Sequence, residues 1–163
     1  MGVDSARSGR AFIAPNATVL GDVAIGVETG IWFGAVVRAD KDRIVLGNRS
    51  NVQDNAVLHT STGHPVLVGQ DVSIGHGAIL HGCTIADRVL VGMGAIVLNG
   101  ALVGEDSVIG AGTVVTEGAV IPPGSVVVGV PGKVIKAVSD QQRDHIVENA
   151  RNYWTLARSY LHG

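Results

Sequence analysis

Residues Ile85 to Val127 read IADRVLVGMGAIVLNGALVGEDSVIGAGTVVTEGAVIPPGSVV, and this segment contains the longest regular repeat of the chain. Within it an aliphatic residue recurs at every sixth position, and glycine often follows that residue. An amphipathic helix needs apolar residues three and four positions apart, and glycine weakens helices, so this pattern argues against a helix. A period of six instead predicts short strands whose aliphatic side chains point inward, with a small residue at each bend.

The same period extends towards the N-terminus and covers most of the 163 residues. Its earlier members are Ile13, Val19, Ile25, Ile31, Val37, Leu46, Val52, Leu58, Val68, Ile74 and Leu80. Three residues are added after Val37, four are added after Leu58, and one is missing after Leu80. If three hexapeptides form one coil, every interruption falls at the same corner of a triangular coil. The sequence therefore predicts a mainly β fold, a parallel β-helix over about residues 11–132, with loops at 40–43 and 60–65.

A different pattern follows the last repeat. The segment Gly129–Lys133 has the composition of a turn, and Ser139 with Gln142 three residues later is typical of a capping box. Apolar residues then recur at helical spacing, which predicts a C-terminal α-helix over Asp140–Leu161 within the segment 139–162. The apolar stripe of this helix must pack along the chain's own β-helix or against a neighbouring subunit.

Composition and charge limit the classes of function. The net charge is −2 and the 12 Lys and Arg residues are scattered, so we expect no nucleic-acid partner. No apolar run has the length of a membrane span, and the single cysteine excludes an internal disulfide. We expect one domain over residues 1–163, a cytoplasmic location and no membrane partner.

Three of the six histidines fall at informative places in the repeat. His59 and His81 each follow the inward aliphatic residue of a strand, so they occupy the same position on one side, one coil apart. Strands about 4.8 Å apart let both imidazoles reach one metal ion at Zn–N distances of about 2.0–2.1 Å. His76 is the third residue of its hexapeptide and lies on an adjacent side. In a threefold assembly that side faces the next subunit's pair, which indicates a metal site shared across a subunit boundary.

Five short motifs, taken together, give the chain a family resemblance. They are Val37-Arg38-Ala39-Asp40, Asn51-Val52-Gln53-Asp54-Asn55, Leu58-His59, Gly75-His76 and Leu80-His81-Gly82-Cys83-Thr84. With the hexapeptide frame around them, these segments resemble the γ-class carbonic anhydrase family. The resemblance implies a homotrimer of left-handed β-helices in which His59 and His81 of one subunit and His76 of the next bind Zn²⁺.

The resemblance also implies roles for residues around the metal. It places Arg38, Asp40 and Asp54 at the subunit interface, and Asn51 and Gln53 beside the metal as catalytic residues. Three neutral imidazoles leave Zn²⁺ an open position and lower the pKa of its bound water to about 7, so hydroxide can attack CO₂ and form bicarbonate. Gln53 is implied to orient this hydroxide. Three imidazoles would also accept Fe²⁺ or Co²⁺.

The chain departs from the best-known members of this family in one loop. Those members carry an acidic loop with a glutamate that shuttles protons, whereas Thr60–Pro65 contains no carboxylate and Lys41 follows Asp40. His64 in this loop is a candidate proton shuttle, because imidazole exchanges protons near neutral pH. Tyr153, on the predicted helix, matches a family position near the pocket and is a further candidate catalytic residue beside Gln53 and Asn51.

Other classes of function stay open. The same β-helix hosts acyltransferases that use acetyl- or acyl-CoA, and a thioesterase would use the same metal-bound water. A non-catalytic metal-binding subunit of a larger trimeric assembly is a further alternative. Cys83 is either a thiolate ligand or a small buried residue inside the repeat, and we expect the second.

Overall fold

The computed structural model describes residues 11–161, so residues 1–10 and 162–163 of the predicted domain lie outside the described residues. The described chain winds through six complete coils, each contributing a strand to three faces, and a long helix follows. Every pairing between successive coils is parallel. The predicted mainly β fold, a left-handed parallel β-helix with a C-terminal α-helix, is confirmed.

Each face is a parallel sheet with one strand per coil. Face 1 consists of β1 (Phe12–Ile13), β3 (Gly30–Ile31), β5 (Asn51–Val52), β8 (Ser73–Ile74), β11 (Leu90–Val91), β14 (Val108–Ile109) and β17 (Ser125–Val128). Face 2 contains β6 (Val57–His59), β9 (Ile79–His81), β12 (Ile96–Val97) and β15 (Val114–Val115). Face 3 contains β7 (Val66–Val68), β10 (Thr84–Ile85), β13 (Leu102–Val103) and β16 (Val120–Ile121). The longer strands β2 (Thr18–Ile25) and β4 (Val36–Leu46) run around one corner and belong to both face 2 and face 3.

The aliphatic residues of the six-residue period form the core, as predicted. In face 2, for example, Val37 pairs with Leu58 and Leu58 pairs with Leu80, and all three side chains are fully buried. Ile13 and Val19 in the first coil are more exposed, because no described coil covers that end. The sheet places each inward residue directly above the equivalent residue of the previous coil, which makes the core a stack of aliphatic layers.

The predicted loop over residues 40–43 is wrong, whereas the loop over 60–65 is present. Residues 40–43 lie within the continuous strand β4. The neighbouring strand β2 is also extended around this corner, and it pairs with β4 before and after the corner. The extra residues are absorbed by a register shift between Gly21 and Val23. Residues 60–65 instead form a turn closed by a bridge between Ser61 and His64.

The predicted turn at Gly129–Lys133 is followed by a strand that the repeat pattern did not reveal. This strand, β18 (Lys133–Ala137), pairs antiparallel with β17 and covers the C-terminal edge of face 1. An uncovered sheet edge offers unpaired backbone groups to other chains, so β18 protects this end of the solenoid.

The C-terminal helix α1 (Asp140–Leu161) has the predicted bounds and packs along face 1 of its own chain. The Ser139 hydroxyl accepts a hydrogen bond from the Gln142 backbone NH, and the Gln142 side chain accepts one from the Ser139 NH, which confirms the capping box. Ile146, Ala150 and Ala157 are buried against the β-helix. No helix within residues 11–161 is long and apolar enough to cross a bilayer, and the cytoplasmic location stays a prediction.

We predict that truncating one inward residue destabilises the protein far more than truncating an exposed residue of the same type. Ile109 is fully buried in the core column, whereas Ile135 in β18 is 56% exposed. Ile109→Ala should lower the free energy of unfolding by about 2–5 kcal/mol, and Ile135→Ala by at most about 0.5 kcal/mol. Urea denaturation at one fixed protein concentration measures both. Equal losses of stability in the two variants would contradict the assigned core.

We also predict a pH-dependent contribution from Cys83, which is buried in the core. Burial raises the pKa of its thiol to about 12 from an ordinary 9.0, so the thiol stays neutral and is not suited to bind a metal as thiolate. The unfolded chain releases this proton near its ordinary pKa while the folded chain keeps it, so stability falls as the pH rises above that value. Between about pH 8 and about pH 10, the wild type should lose about 1.4 kcal/mol more than Cys83→Ala. If the free energy of unfolding changed equally with pH in the two proteins, this assignment would be refuted.

Candidate metal centre

His59 and His81 lie side by side at the ends of neighbouring strands on face 2. The parallel pairing of β6 with β9 aligns the two residues, and their ring centroids are 5.0 Å apart. His59 Nδ1 and His81 Nε2 are 3.0 Å apart. The sequence predicted this column, and the register of the coils produces it.

The other nitrogen of each ring faces a hydrogen-bond acceptor. His59 Nε2 is 2.9 Å from Asp40 Oδ1, and His81 Nδ1 is 2.8 Å from Asn99 Oδ1. The hydrogen bond with His59 holds the pKa of Asp40 below its usual value, so this carboxylate is ionised and accepts. Both rings therefore carry their N–H groups on the outer side.

Two lone pairs then face each other across the gap between His59 and His81. A neutral imidazole with one nitrogen protonated has its lone pair on the other nitrogen. Lone pairs 3.0 Å apart repel unless a cation lies between them. Tetrahedral zinc with bonds of about 2.0–2.1 Å places its ligand nitrogens about 3.3–3.4 Å apart, so a small opening of this gap fits a metal ion.

His76 has the same arrangement at the opposite end of a face 2 strand. Its Nδ1 is 2.9 Å from Asp54 Oδ2, and its Nε2 is 3.2 Å from the Tyr153 hydroxyl. Burial raises the pKa of Tyr153, so the hydroxyl keeps its proton and donates to the Nε2 lone pair. His76 is therefore a third imidazole with a carboxylate on one nitrogen and a lone pair on the other.

A single chain does not bring the three histidines together. His76 lies in the turn before β9, whereas His81 is the last residue of β9. Within residues 11–161, no group of three His, Cys, Asp or Glu side chains of one chain can hold a metal ion. One chain thus presents two partial sites at the two ends of the strands of face 2.

A pocket of about 290 Å³ adjoins His76. It is lined by Gln53, Tyr153, Asn149 and apolar side chains that include Leu90 and Met93. Gln53 is almost completely buried, and its amide nitrogen donates to Asn51 Oδ1. The side-chain oxygen of Gln53 can therefore accept a hydrogen bond from another group. The structure therefore groups Gln53 and Tyr153 with His76 and not with His59 and His81 of the same chain.

The predicted interface residues bond within the chain. Arg38 donates to Asp40, which also contacts His59, and Asp54 contacts His76. Each carboxylate thereby orients a candidate metal ligand, and its contribution to a subunit interface stays a prediction. His64 is exposed in the turn at residues 60–65.

Two asparagines at this centre were missed by the sequence analysis. Asn99, which contacts His81, precedes a glycine and looks like an ordinary turn residue. Asn149 lies on the predicted helix outside its apolar stripe, and its side-chain oxygen is buried without a hydrogen-bond partner among the described residues. The position equivalent to His81 in the next coil is Leu98, so the repeat does not point to Asn99, and no local signal marks Asn149.

Comparisons with known proteins identify relatives of this chain. The family model of the bacterial transferase hexapeptide (six repeats) matches residues 82–117. A "Probable carbonic anhydrase" of Methanocaldococcus jannaschii is 52% identical over 147 residues, which are 90% of this chain and 92% of that protein. "Gamma carbonic anhydrase 1, mitochondrial" of Arabidopsis thaliana is 38% identical, with 92% of this chain covered, and the chain spans 57% of its length.

A solved structure resembles the whole fold. The hexapeptide transferase family protein of Anaplasma phagocytophilum superposes with a TM-score of 0.90 at 38% identity, covering 94% of this chain and 92% of that one. Identity to the Methanocaldococcus protein extends over nearly the full length of both chains. The chain therefore belongs to the γ-class carbonic anhydrase family of hexapeptide-repeat proteins.

Proposed function

We propose that this chain forms a homotrimeric metalloenzyme that catalyses the reversible hydration of CO₂ to bicarbonate. The observation that carries the proposal is the pair of ring nitrogens, His59 Nδ1 and His81 Nε2, which face each other at 3.0 Å while an acceptor contacts the other nitrogen of each ring. His76 presents the complementary third lone pair, and it lies where a neighbouring subunit rather than the same chain would use it.

The outer surface of face 2 supports the shared site. The outward residue that precedes the inward residue in each face 2 strand is aligned in register from coil to coil, and from the second coil on it is apolar and β-branched. These residues are Val36, Val57, Ile79, Ile96 and Val114. An apolar column on a sheet surface favours contact with another copy. Because the two partial sites lie at opposite ends of the face 2 strands, a closed ring of three such contacts would complete three sites.

The three imidazoles fit a divalent metal with an open coordination position. His59 Nδ1 and His81 Nε2 would bind it from one subunit and His76 Nε2 from the next, and each ring has an outer partner that fixes its orientation. A metal held by three neutral imidazoles acidifies water, which provides a nucleophile for CO₂ at neutral pH. We propose Zn²⁺ as this metal, and Fe²⁺ or Co²⁺ would suit the same ligands.

Gln53 is proposed to orient the nucleophile. Asn51 holds the Gln53 amide nitrogen, and Asn51 in turn donates to the Ser73 hydroxyl, so the side chain is fixed through two hydrogen bonds. The Gln53 oxygen is left to accept a hydrogen bond inside the pocket beside His76. The apolar wall made by Leu90 and Met93 suits a small nonpolar substrate such as CO₂.

His64 is proposed as the group that passes the released proton to solvent. It is exposed and belongs to the turn that directly follows His59 and the buried Thr60. Tyr153 fits a different role, because the raised pKa of its hydroxyl makes it a donor to a ligand in the pocket.

Acyl transfer is the second candidate, favoured by the transferase names of the matching family model and of the Anaplasma structure. The family model covers residues 82–117, which form coils of the solenoid and exclude all three candidate ligands. That match thus reports the fold, and function must be decided at the site. A metal-dependent thioesterase or a non-catalytic metal-binding subunit would share the metal site but not CO₂ hydration.

We predict that inactive variants complement each other across the subunit boundary. Neither His59→Ala nor His76→Ala should bind a metal at full strength, because each site keeps two ligands. After unfolding and refolding an equal mixture, about one quarter of the sites combine an intact His59–His81 pair with an intact His76. Metal content after gel filtration measures the recovery.

The matched control is a mixture of His59→Ala with His81→Ala. Both changes remove a ligand from the same half of the site, so no combination of subunits restores it. Recovery in this control, or none in the first mixture once mixed trimers are verified by mass spectrometry, would refute the shared site.

We predict that the zinc-loaded protein hydrates CO₂ and that Gln53 supports the reaction rather than metal binding. Stopped-flow measurement with a pH indicator should show catalysis that is abolished in His81→Ala. Gln53→Leu should lower kcat/KM by at least about tenfold, which is the loss of one oriented hydrogen bond of about 1.4 kcal/mol, at unchanged zinc content. If the wild type bound zinc fully but did not hydrate CO₂, the result would favour a non-catalytic metal-binding subunit.

A further inference from the structure

Asn99 joins His81 to the turn at residues 60–65. Its Oδ1 is 2.8 Å from His81 Nδ1, and its Nδ2 donates to the Ser61 hydroxyl at 3.4 Å. An amide oxygen only accepts hydrogen bonds, so this contact requires the proton of His81 to be on Nδ1. The His81 lone pair is then on Nε2, the atom that faces His59.

The backbone leaves space for this side chain. Gly82 has a φ of 59°, and a Cβ atom added there would lie 2.3 Å from Asn99 Oδ1 and 2.8 Å from the Cβ of His64. A side chain at position 82 would therefore displace Asn99 or the turn. The absence of a side chain at Gly82 thus lets Asn99 sit directly beside His81.

The same turn also contacts strand β4, which carries the hydrogen-bond partner of His59. The Asp42 backbone NH donates to the Thr60 hydroxyl at 3.0 Å. Asp40, two residues earlier in β4, accepts from His59 Nε2. The turn at residues 60–65 therefore reaches both histidines, through Ser61 and Asn99 on one side and through Thr60 and β4 on the other.

We propose that Asn99 is a positioning residue, held by Ser61, that fixes the ring tautomer and orientation of His81 so that its Nε2 lone pair faces the metal position. This role rests on the proposed metal site. The short turn would thus hold His59 and His81 in place. The best-known members of the family carry an acidic, proton-shuttling loop at this position. Outer hydrogen-bond partners of metal-binding histidines typically contribute about 10–100-fold to metal affinity.

The test compares three variants of the assembled protein by zinc competition with a chromophoric chelator. Asn99→Ala should weaken zinc binding by about 10–100-fold, because His81 loses its outer acceptor. Asn99→Asp keeps an acceptor at this place and should bind zinc at least as well as the wild type. Asn48→Ala is the matched control, because Asn48 Oδ1 accepts from the Val27 NH in another turn, away from the histidines, and should leave zinc affinity unchanged.

A second measurement needs no metal. Nitrogen-15 NMR of labelled histidine in the metal-free protein should show His81 protonated on Nδ1 in the wild type and in Asn99→Asp, and a changed tautomer mixture in Asn99→Ala. Wild-type zinc affinity in Asn99→Ala, or equal losses in Asn99→Ala and Asn99→Asp, would overturn the proposal. Failure of the metal site itself is recognised separately, because His81→Ala would then keep its zinc.

Discussion

Parallel stacking of successive coils sets the positions of all other elements and of the histidines in this protein. Backbone hydrogen bonds hold successive strands about 4.8 Å apart, and the aliphatic column inside each face prevents any slip in register. A one-residue slip in β9 would turn Leu80 outward and bury His81, at the cost of the core. The burial of Leu58 and Leu80 therefore also fixes the distance between His59 and His81, which brings two ring nitrogens to 3.0 Å.

Hydrogen-bond chemistry then decides what this pair of rings does. An ionised carboxylate and an amide oxygen occupy the outer nitrogens of His59 and His81, and both of these groups accept. The inner nitrogens are left with lone pairs, and a histidine nitrogen binds a metal through such a lone pair. His76 repeats this pattern with Asp54, so the three rings share one electronic arrangement although they lie in two places. Two lone pairs that face each other, as in the pair of His59 and His81, are unfavourable without a cation between them, whereas the lone pair of His76 accepts a hydrogen bond from Tyr153.

The same fold serves other chemistry in other proteins, so the function of this chain must be decided at the surface that carries the histidines. Face 1 is covered by α1, and face 2 presents an apolar column between two incomplete ligand sets. Helix α1 contributes to the pocket beside one of these sets, because Tyr153 and Asn149 reach it from the helix. A contact between copies through face 2 would bury the apolar column and would join the two ligand sets in the same step.

The repeating parts of this protein can be predicted from its amino-acid sequence. The six-residue period identified the core residues, and the interruptions identified the corner where β4 and the turn at residues 60–65 lie. The stacking of His59 on His81 followed from the period, and helical spacing with a capping box predicted the bounds of α1. These features depend on local periodicity and on a fixed strand spacing, both of which can be read along the chain.

Contacts between residues that share no period become visible only in the folded chain. Asn99 meets His81 from the next coil, Tyr153 meets His76 across 77 positions, and β18 folds back on β17 after the repeat has ended. Residues 40–43 stay extended because β2 beside them does, which their own sequence does not show. Each of these contacts is decided by a partner brought close by folding, so the amino-acid pattern around either residue carries no sign of the other.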